Sequence, residues 1–133
     1  MSVFTPNEIA YLRGQRTGRL ATVDAHGNPH VVPVGYLYNE ALDTIDIAGW
    51  GMGGSKKLRD VRRDGRVAFV VDDVAGPRHP RGVEVRGRAE ALDTGGREIR
   101  PGADPELIRV TPRHVASWGI DGEPYEPRGR DIE

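Results

Sequence analysis

The chain has 133 residues, with 37% hydrophobic and 29% charged side chains, which is enough for one domain with a buried core. The formal net charge is -1 at pH 7, so no global charge attracts nucleic acid or an anionic membrane, and any basic site must be local. The sequence contains no cysteine, which excludes disulfides, thiolate metal sites and a thiol nucleophile.

The N-terminus lacks the pattern of a secretory signal, and no apolar run approaches the roughly 20 residues of a membrane span, so we expect a cytoplasmic protein. The first predicted element is a short helix in TPNEIAYLRGQ. Thr5 can cap this helix, Glu8 completes a capping box, and Pro6 suits the first helical position. Gly14 is a suitable end.

The segment GRLATVDAHGNPHVVPVGYLYN predicts a β-hairpin. Gly27 can adopt a positive φ in the turn between its strands. The second strand, 29–38, is rich in β-branched and aromatic residues. Pro33 lies inside this strand and lacks a ladder donor, which indicates an edge or a bulge where a ligand often approaches.

A third strand, TIDIAGW, leads into the stretch GWGMGGSKKLRDVRRDGRVAFVV. Ser55 can cap a short helix that runs to about Arg63 and ends at Asp64-Gly65. The following RVAFVV predicts a strand that is buried on both faces or closes a barrel.

The last part of the chain predicts strands separated by two irregular loops. VEVRGRAEAL alternates as one strand, and LIRVTPRHVASWGI predicts two strands joined by a corner at Thr111-Pro112. The six or seven short strands and two helices favour a mainly β fold, a small antiparallel barrel. We expect one domain over residues 1–121 and a C-terminal tail, 122–133, that frays unless a partner holds it.

The helix after the glycine-rich loop is the best candidate for a site. Its start offers unpaired backbone N–H groups, and Lys56, Lys57 and Arg59 add positive charge. A bound anion, phosphate above all, would relieve the conflict between these cations and the helix dipole. The alternative is a solvated basic helix that only aids solubility. The Walker spacing is absent. The glycine-rich GWGMGG is not taken as a dinucleotide-binding unit, because it precedes basic residues and lies in a non-crossover context.

The four histidines form no metal-ligand spacing, so no metal site is expected. Asp72 and Asp73 are more simply explained as a strand end than as paired catalytic carboxylates. Trp50 could flank a flat ring system, because its glycine neighbours make poor core contacts, although core or interface packing is the default role of a tryptophan.

Four segments follow one another over about residues 4–121: GRLATVDAHGNPHVVPVGYLY, SKKLRDVRRDGRVAFVVDD, RGVEVRGRAEAL and RVTPRHVASWGID. In order and spacing they resemble the pyridoxamine 5'-phosphate oxidase-like split-barrel superfamily. More narrowly, they resemble its actinobacterial branch of deazaflavin-dependent reductases, which use coenzyme F420. The resemblance implies an FMN-binding-type split β-barrel and a homodimer with two cofactor sites at the subunit interface.

The resemblance also implies which residues hold the cofactor. The basic segment before RDVRRDGRVAF would bind the phosphate, which places Lys57 first with Ser55 and Lys56 as neighbours. The strand PHVVPVGY would run beside the ring system and offer contacts from Val31, Val32, Pro33 and Val34. The lactyl-glutamate extension of F420 would favour further cations such as Arg59, Arg78 or Arg81.

Two departures from the family pattern affect this site. Relatives often carry Arg-x-Lys where this chain has Ser55 and Lys57, which removes one bidentate donor that Lys56 would have to replace. They also often carry Asn where Asp60 stands. Asp60 would repel a phosphate unless a basic neighbour pairs with it, the candidates being Arg59, Arg62 and Arg63.

Our first hypothesis is an F420-dependent oxidoreductase that transfers a hydride between a deazaflavin and a small organic substrate, with FMN as the alternative cofactor. The second is a non-catalytic cofactor-binding module of the same fold. The catalytic residues are unknown, with His30 and Tyr36 as testable proton donors. We expect substrate contacts from the loops 73–82 and 93–106 and from the tail. Nucleic-acid binding is not favoured, because no aromatic platform accompanies the cations.

Overall fold

The computed structural model describes residues 1–133, which form one barrel with three short helices. In chain order the elements are α1 Pro6–Gly14, β1 Thr17–Val23, β2 Pro29–Asn39, β3 Thr44–Ile47, α2 Lys56–Arg63, β4 Arg66–Val74, β5 Pro80–Leu92, α3 Gly96–Ile99, β6 Leu107–Trp118 and β7 Arg128–Asp131. A 3-10 turn at Met52–Gly54 precedes α2. None of the helices has the length and apolar character needed to cross a membrane.

The strands form one antiparallel sheet in the order β3-β2-β1-β4-β5-β6-β7. β3 also pairs with β6, with Ile45 opposite Val110, so the first six strands of this order close into a barrel. β7 lies outside the closure and pairs only with β6. The mainly β antiparallel barrel predicted from the sequence is confirmed.

The first helix forms where its capping signals predict it. The Thr5 hydroxyl accepts a hydrogen bond from the Glu8 N–H at 3.1 Å, and Glu8 Oε1 accepts one from the Thr5 N–H at 2.9 Å. These two bonds satisfy donors that a helix start leaves unpaired. The helix packs on the barrel through Tyr11 and Leu12, which are buried.

Alternate residues of the strands fill the barrel interior. In β4, Val67, Phe69 and Val71 are buried, whereas Ala68 and Val70 are half-buried on the outer face. Phe69 packs edge-on against the ring of Tyr36, with centroids 5.1 Å apart. β4 therefore closes a barrel as one of the two alternatives predicted, and within a single chain it is not buried on both faces.

β6 is one continuous strand, so the prediction of two strands separated by a corner is wrong. Gly87 pairs with Pro112 and Arg86 pairs with His114, which leaves Arg113 without a partner opposite it. The irregularity is a bulge, which tolerates a proline that cannot donate to the ladder. An added Cβ at Gly87 would overlap the backbone of β6, so this close approach requires glycine.

The C-terminal residues pair with the barrel through β7, so the expected fraying is wrong for residues 128–131. Arg130 donates to Glu8 Oε1 at 2.6 Å, to Glu8 Oε2 at 3.2 Å and to the Val3 carbonyl at 2.7 Å. This side chain ties the end of the chain to α1. The division into a domain over 1–121 and a tail over 122–133 stays a prediction.

Glu8 depends on that contact, because its side chain is only 1% exposed. Burial alone would raise the pKa of Glu8, but hydrogen bonds from Arg130 and from the Thr5 N–H outweigh it and hold the pKa below its usual value. The pair therefore stabilises the fold above the ordinary pKa of a glutamate. That stabilisation is lost as the pH falls through the lowered pKa.

We expect Arg130→Met to lower the free energy of unfolding by about 1–3 kcal/mol at neutral pH, because it leaves a buried carboxylate without its donor. Urea denaturation monitored by circular dichroism measures the loss. Arg128→Met is the matched control, since Arg128 lies on the same strand but is exposed. The difference between wild type and Arg130→Met should shrink in acid. An equal effect of both substitutions would show that Arg130 does not support Glu8.

Candidate cofactor site

The start of α2 is fixed by the hydroxyl of Ser55, as the sequence predicts. Ser55 Oγ accepts from the Leu58 N–H at 3.3 Å and donates to the Met52 carbonyl at 2.7 Å. Leu58 and Val61 are buried and hold the helix on the barrel. The Ser55 hydroxyl is thus engaged within the chain, and its role is to position the turn that carries the two lysines.

Lys56 is paired with a buried carboxylate. Its ammonium lies 3.3 Å from both oxygens of Asp60 and 3.9 Å from Asp24 Oδ2. Asp60 is 2% exposed and also accepts from the Thr22 hydroxyl at 2.8 Å. The expectation that Arg59, Arg62 or Arg63 would pair with Asp60 is therefore wrong, because Lys56 does so.

Lys57 lines a small cavity together with three other residues of the predicted site, namely Pro33, Val34 and Trp50. The cavity has a volume of about 130 Å³. We call it the Lys57 pocket; its lining is completed by Gly35, Ile47, Ala48, Gly49, Met52 and Arg100. It lies between the middle of β2, the end of β3 and the start of α2.

The ammonium of Lys57 has no counter-charge. No carboxylate oxygen lies within 4.0 Å of this nitrogen, and it donates no side-chain hydrogen bond. Burial lowers the pKa of Lys57, with no opposing contribution from an acid. A half-buried cation without a partner is suited to an anionic ligand, which would supply the missing charge.

The other predicted cations lie elsewhere. Arg59 is exposed and donates to the Gly54 carbonyl at 2.9 Å. Arg81 forms two hydrogen bonds with Asp73, at 2.7 and 3.0 Å. Arg78 lies in the loop between β4 and β5. None of the three lines the Lys57 pocket.

Of the valines on β2, only Val34 lines the pocket. Val32 is half-buried against the core, and Val31 is 64% exposed on the outer face of the sheet. Trp50 is also 64% exposed, so its ring can contact a ligand at the edge of the Lys57 pocket.

Arg100 is a lining residue that the sequence analysis missed. It follows α3, which forms in a stretch predicted to be an irregular loop. Its guanidinium lies 5.7 Å from the centroid of the Trp50 ring. The backbone there is tied to the loop after β3, since the Asp104 N–H donates to the Gly49 carbonyl at 3.1 Å. No local pattern in the sequence signals this contact, because it depends on the pairing of distant strands.

The two suggested proton donors do not line the pocket. Tyr36 is buried in the barrel, its hydroxyl donates to the Leu12 carbonyl at 2.5 Å, and burial raises its pKa. His30 lies beside the paired carboxylate, with Nδ1 4.0 Å from Asp60 Oδ2. That nitrogen is buried and has no hydrogen-bond partner.

The largest cavity is a separate trough of about 390 Å³ on the outer face of the barrel. It is rimmed by arginines of β4, β5 and β6, namely Arg66, Arg86, Arg88 and Arg113. No predicted site residue lines it. The smaller Lys57 pocket is the better candidate for the cofactor site. It combines an unpaired cation with an exposed indole and a proline that donates no backbone hydrogen bond to the sheet.

Comparison with known proteins identifies a family and a relative. The family described as pyridoxamine 5'-phosphate oxidase matches residues 4–119. The chain is 53% identical over 122 residues to 5a,11a-dehydrotetracycline/5a,11a-dehydrooxytetracycline reductase from Streptomyces rimosus subsp. rimosus. That match covers 90% of this chain and 86% of the relative.

Solved structures share the fold. A FAD-binding protein from Mesorhizobium loti has a TM-score of 0.64 at 26% identity, with 86% of this chain and 92% of that chain covered. The FAD-binding protein from Mycobacterium smegmatis has a TM-score of 0.65 at 17% identity, with 99% and 100% covered. Since the family match spans nearly the whole chain and over half of the aligned residues are identical to the reductase, the chain belongs to the pyridoxamine 5'-phosphate oxidase family.

Proposed function

We propose that this chain uses coenzyme F420, bound at the Lys57 pocket, to transfer a hydride to a small organic substrate. That the chain is an oxidoreductase follows from its family and from its 53% identity to a named reductase. The observation that carries the proposed cofactor site is the unpaired ammonium of Lys57 beside Pro33 and the exposed ring of Trp50.

The lining fits a planar cofactor with a phosphate-bearing tail. Lys57 supplies a charge for the phosphate near a helix start, where the first backbone N–H groups have no partner within the helix. Val32, Pro33 and Val34 supply the strand along which the ring lies, and Trp50 offers an aromatic face.

The remaining residues of the predicted set act around the pocket. Ser55 fixes the turn, and Lys56 lies beside it but is paired with Asp60 and Asp24, so its role is to hold the start of the helix in place. Arg59 lies on the exposed side of α2, where an anionic extension of the cofactor would leave the pocket.

Reduced F420 supplies the hydride when it is bound, and a proton from a side chain or water completes the reduction of the substrate. The residues of this chain bind the phosphate, orient the ring and limit access of water. The named relative reduces dehydrogenated tetracyclines. We propose by likeness that the substrate is a fused-ring compound with a carbon–carbon double bond that accepts the hydride and the proton.

FMN is the second candidate cofactor, because two neighbours of the same fold are FAD-binding proteins. The charges around the pocket favour F420. Its lining contains no carboxylate, whereas an acidic groove would repel the lactyl-glutamate extension that F420 carries beyond its phosphate. A non-catalytic module would bind one of these cofactors without turnover.

We expect the purified protein to quench the fluorescence of added deazaflavin in a saturable titration, and to bind FMN more weakly. Tight FMN binding with a yellow holoprotein would replace F420 by the second candidate. Binding of either cofactor without oxidation of its reduced form, across a panel of quinones and polycyclic enones, would indicate the non-catalytic module. Binding of neither cofactor would refute the proposal.

Lys57→Ala should weaken F420 binding by about 1.5–3 kcal/mol, the range of a hydrogen bond to a charged group. Arg62→Ala is the matched control on the same helix, because Arg62 contacts only the exposed Asp93 at 3.4 Å. Wild-type affinity should fall as the pH rises, and sooner than for an ordinary lysine, since burial lowers the pKa of Lys57. Equal affinities of Lys57→Ala and wild type would remove this lysine from the site.

The outer face of the barrel supports the homodimer that we propose. Ala21 on β1 pairs with Val31 on β2 and with Ala68 on β4, which forms a row of small apolar side chains, and the two alanines line the arginine-rimmed trough. Val31 is 64% exposed, and the two alanines are half-buried. We propose that a second copy of the chain packs on this row and completes the walls of the cofactor site.

Ala21→Arg should convert the dimer into a monomer and abolish cofactor binding, because it places a long cation in the centre of the apolar row. Sedimentation velocity and deazaflavin titration measure the two effects. Leu42→Arg is the control, since Leu42 is 54% exposed in the turn between β2 and β3. A monomeric wild type that still binds the cofactor tightly would contradict the proposed assembly.

A further inference from the structure

We propose that Arg100 is a displaceable clamp: it covers Gly35 in the Lys57 pocket, an anionic ligand moves it aside, and it then binds that anion. The inference rests on the proposed function only in that the ligand of the pocket is an anion. Arg100 lies outside the basic segment around Lys57, and it would both restrict access to the pocket and contribute to binding of the ligand.

The guanidinium of Arg100 lies directly on the backbone of β2. A Cβ added at Gly35 would overlap the Cζ, Nη1 and Nη2 atoms of Arg100. Gly35 follows Pro33 and Val34, the strand residues that line the same pocket. A ligand ring lying along this strand and the guanidinium in its present position therefore compete for the same space.

The contacts that hold Arg100 in this position are weak. The guanidinium makes no hydrogen bond or ion pair, and its carbon lies 5.7 Å from the centroid of the Trp50 ring. Other half-buried arginines of the chain bind carboxylates, as Arg109 does with Asp46 at 3.0 and 3.1 Å. A rim cation–π contact is weaker than paired hydrogen bonds to an anion. An anion near Lys57 thus offers Arg100 a better partner than the indole.

The small volume of the pocket is consistent with Arg100 covering part of it. Its volume is about 130 Å³, whereas pockets for small molecules and cofactors have roughly 300–1,000 Å³. A second copy of the chain can add a wall, but it cannot clear Gly35 while the guanidinium rests there. Access to the strand requires movement of Arg100 itself.

The side chain can move while its backbone stays in place. The Arg100 N–H donates to the Gly96 carbonyl at 3.0 Å, and the Ala103 N–H donates to the Arg100 carbonyl at 3.0 Å. Asp104 Oδ2 further accepts from the Gly53 N–H at 3.0 Å. The backbone is thus held on both sides of Arg100, and rotation about its side-chain bonds moves the guanidinium away from Gly35 within the pocket that Lys57 also lines.

The first test measures binding rates in a Trp118→Phe background, where Trp50 is the only tryptophan. We expect Arg100→Ala to bind F420 faster in stopped-flow fluorescence and to release it faster still, so that affinity falls about 10- to 100-fold. Arg97→Ala is the control, because Arg97 lies on α3 and donates to the Ala103 carbonyl. Unchanged affinity of Arg100→Ala would refute the clamp, and an unchanged or slower association rate would refute the cover.

The second test needs no cofactor. Gly35→Ala should displace the guanidinium of Arg100 from the pocket. Without ligand, the Trp50 emission of the Gly35→Ala variant should therefore match that of Arg100→Ala and differ from that of the background protein. Added inorganic phosphate should shift the Trp50 emission of the background protein but not that of Arg100→Ala. A Gly35→Ala emission equal to the background, or equal phosphate responses, would overturn the proposal. If wild type bound neither F420 nor FMN, the proposed function would fall, and this comparison would still decide the role of Arg100.

Discussion

The buried carboxylate of Asp60 decides which of two adjacent lysines is available to a ligand. Asp60 is fixed by the Thr22 hydroxyl of β1 and neutralises Lys56, one turn earlier on α2. Successive residues of a helix point about 100° apart, so the same helix orientation directs Lys57 into the pocket between β2 and β3. An acid that would repel a phosphate if it stood alone instead sets the direction of the cation that we propose as the phosphate ligand.

The closure of the barrel brings the parts of the pocket together. Because β3 pairs with β6, the loop that follows β3 and the loop that precedes β6 are neighbours. The hydrogen bonds from Asp104 to Gly49 and from Gly53 to Asp104 hold these loops against each other. Arg100 and Trp50 meet for this reason, although 49 residues separate them in the chain. The site is thus a property of the closed sheet and of no single segment.

Local signals were sufficient for the elements that depend on neighbouring residues. The capping box of Thr5 and Glu8, the turn at Gly27 and the cap at Ser55 each act within a few residues, and each was predictable. The grouping of Lys57 with Pro33 was predictable from family resemblance, since nothing local links α2 to β2.

Features that depend on distant partners were not predictable. The strand β7 forms because β6 offers a free edge and Glu8 needs a counter-charge, and the tail alone shows neither. The bulge at Arg113 depends on the register between β5 and β6. The position of Arg100 depends on barrel closure. Composition and periodicity carry no information on these pairings, so the sequence indicated loops or corners where the structure has contacts.

The pocket differs from the rest of the barrel in how it treats positive charge. Half-buried cations elsewhere have partners, as Arg109 has Asp46 and Arg130 has Glu8. Lys57 has none, and burial makes its charged form less favourable. Leaving a cation unpaired costs stability that packing must offset, and an anion bound there returns the missing interaction. Because such a ligand binds the folded state alone, its affinity and the stability of the barrel are linked. The same missing charge thus lowers the stability of the folded chain and accounts for the selectivity for an anionic cofactor that we propose for this site.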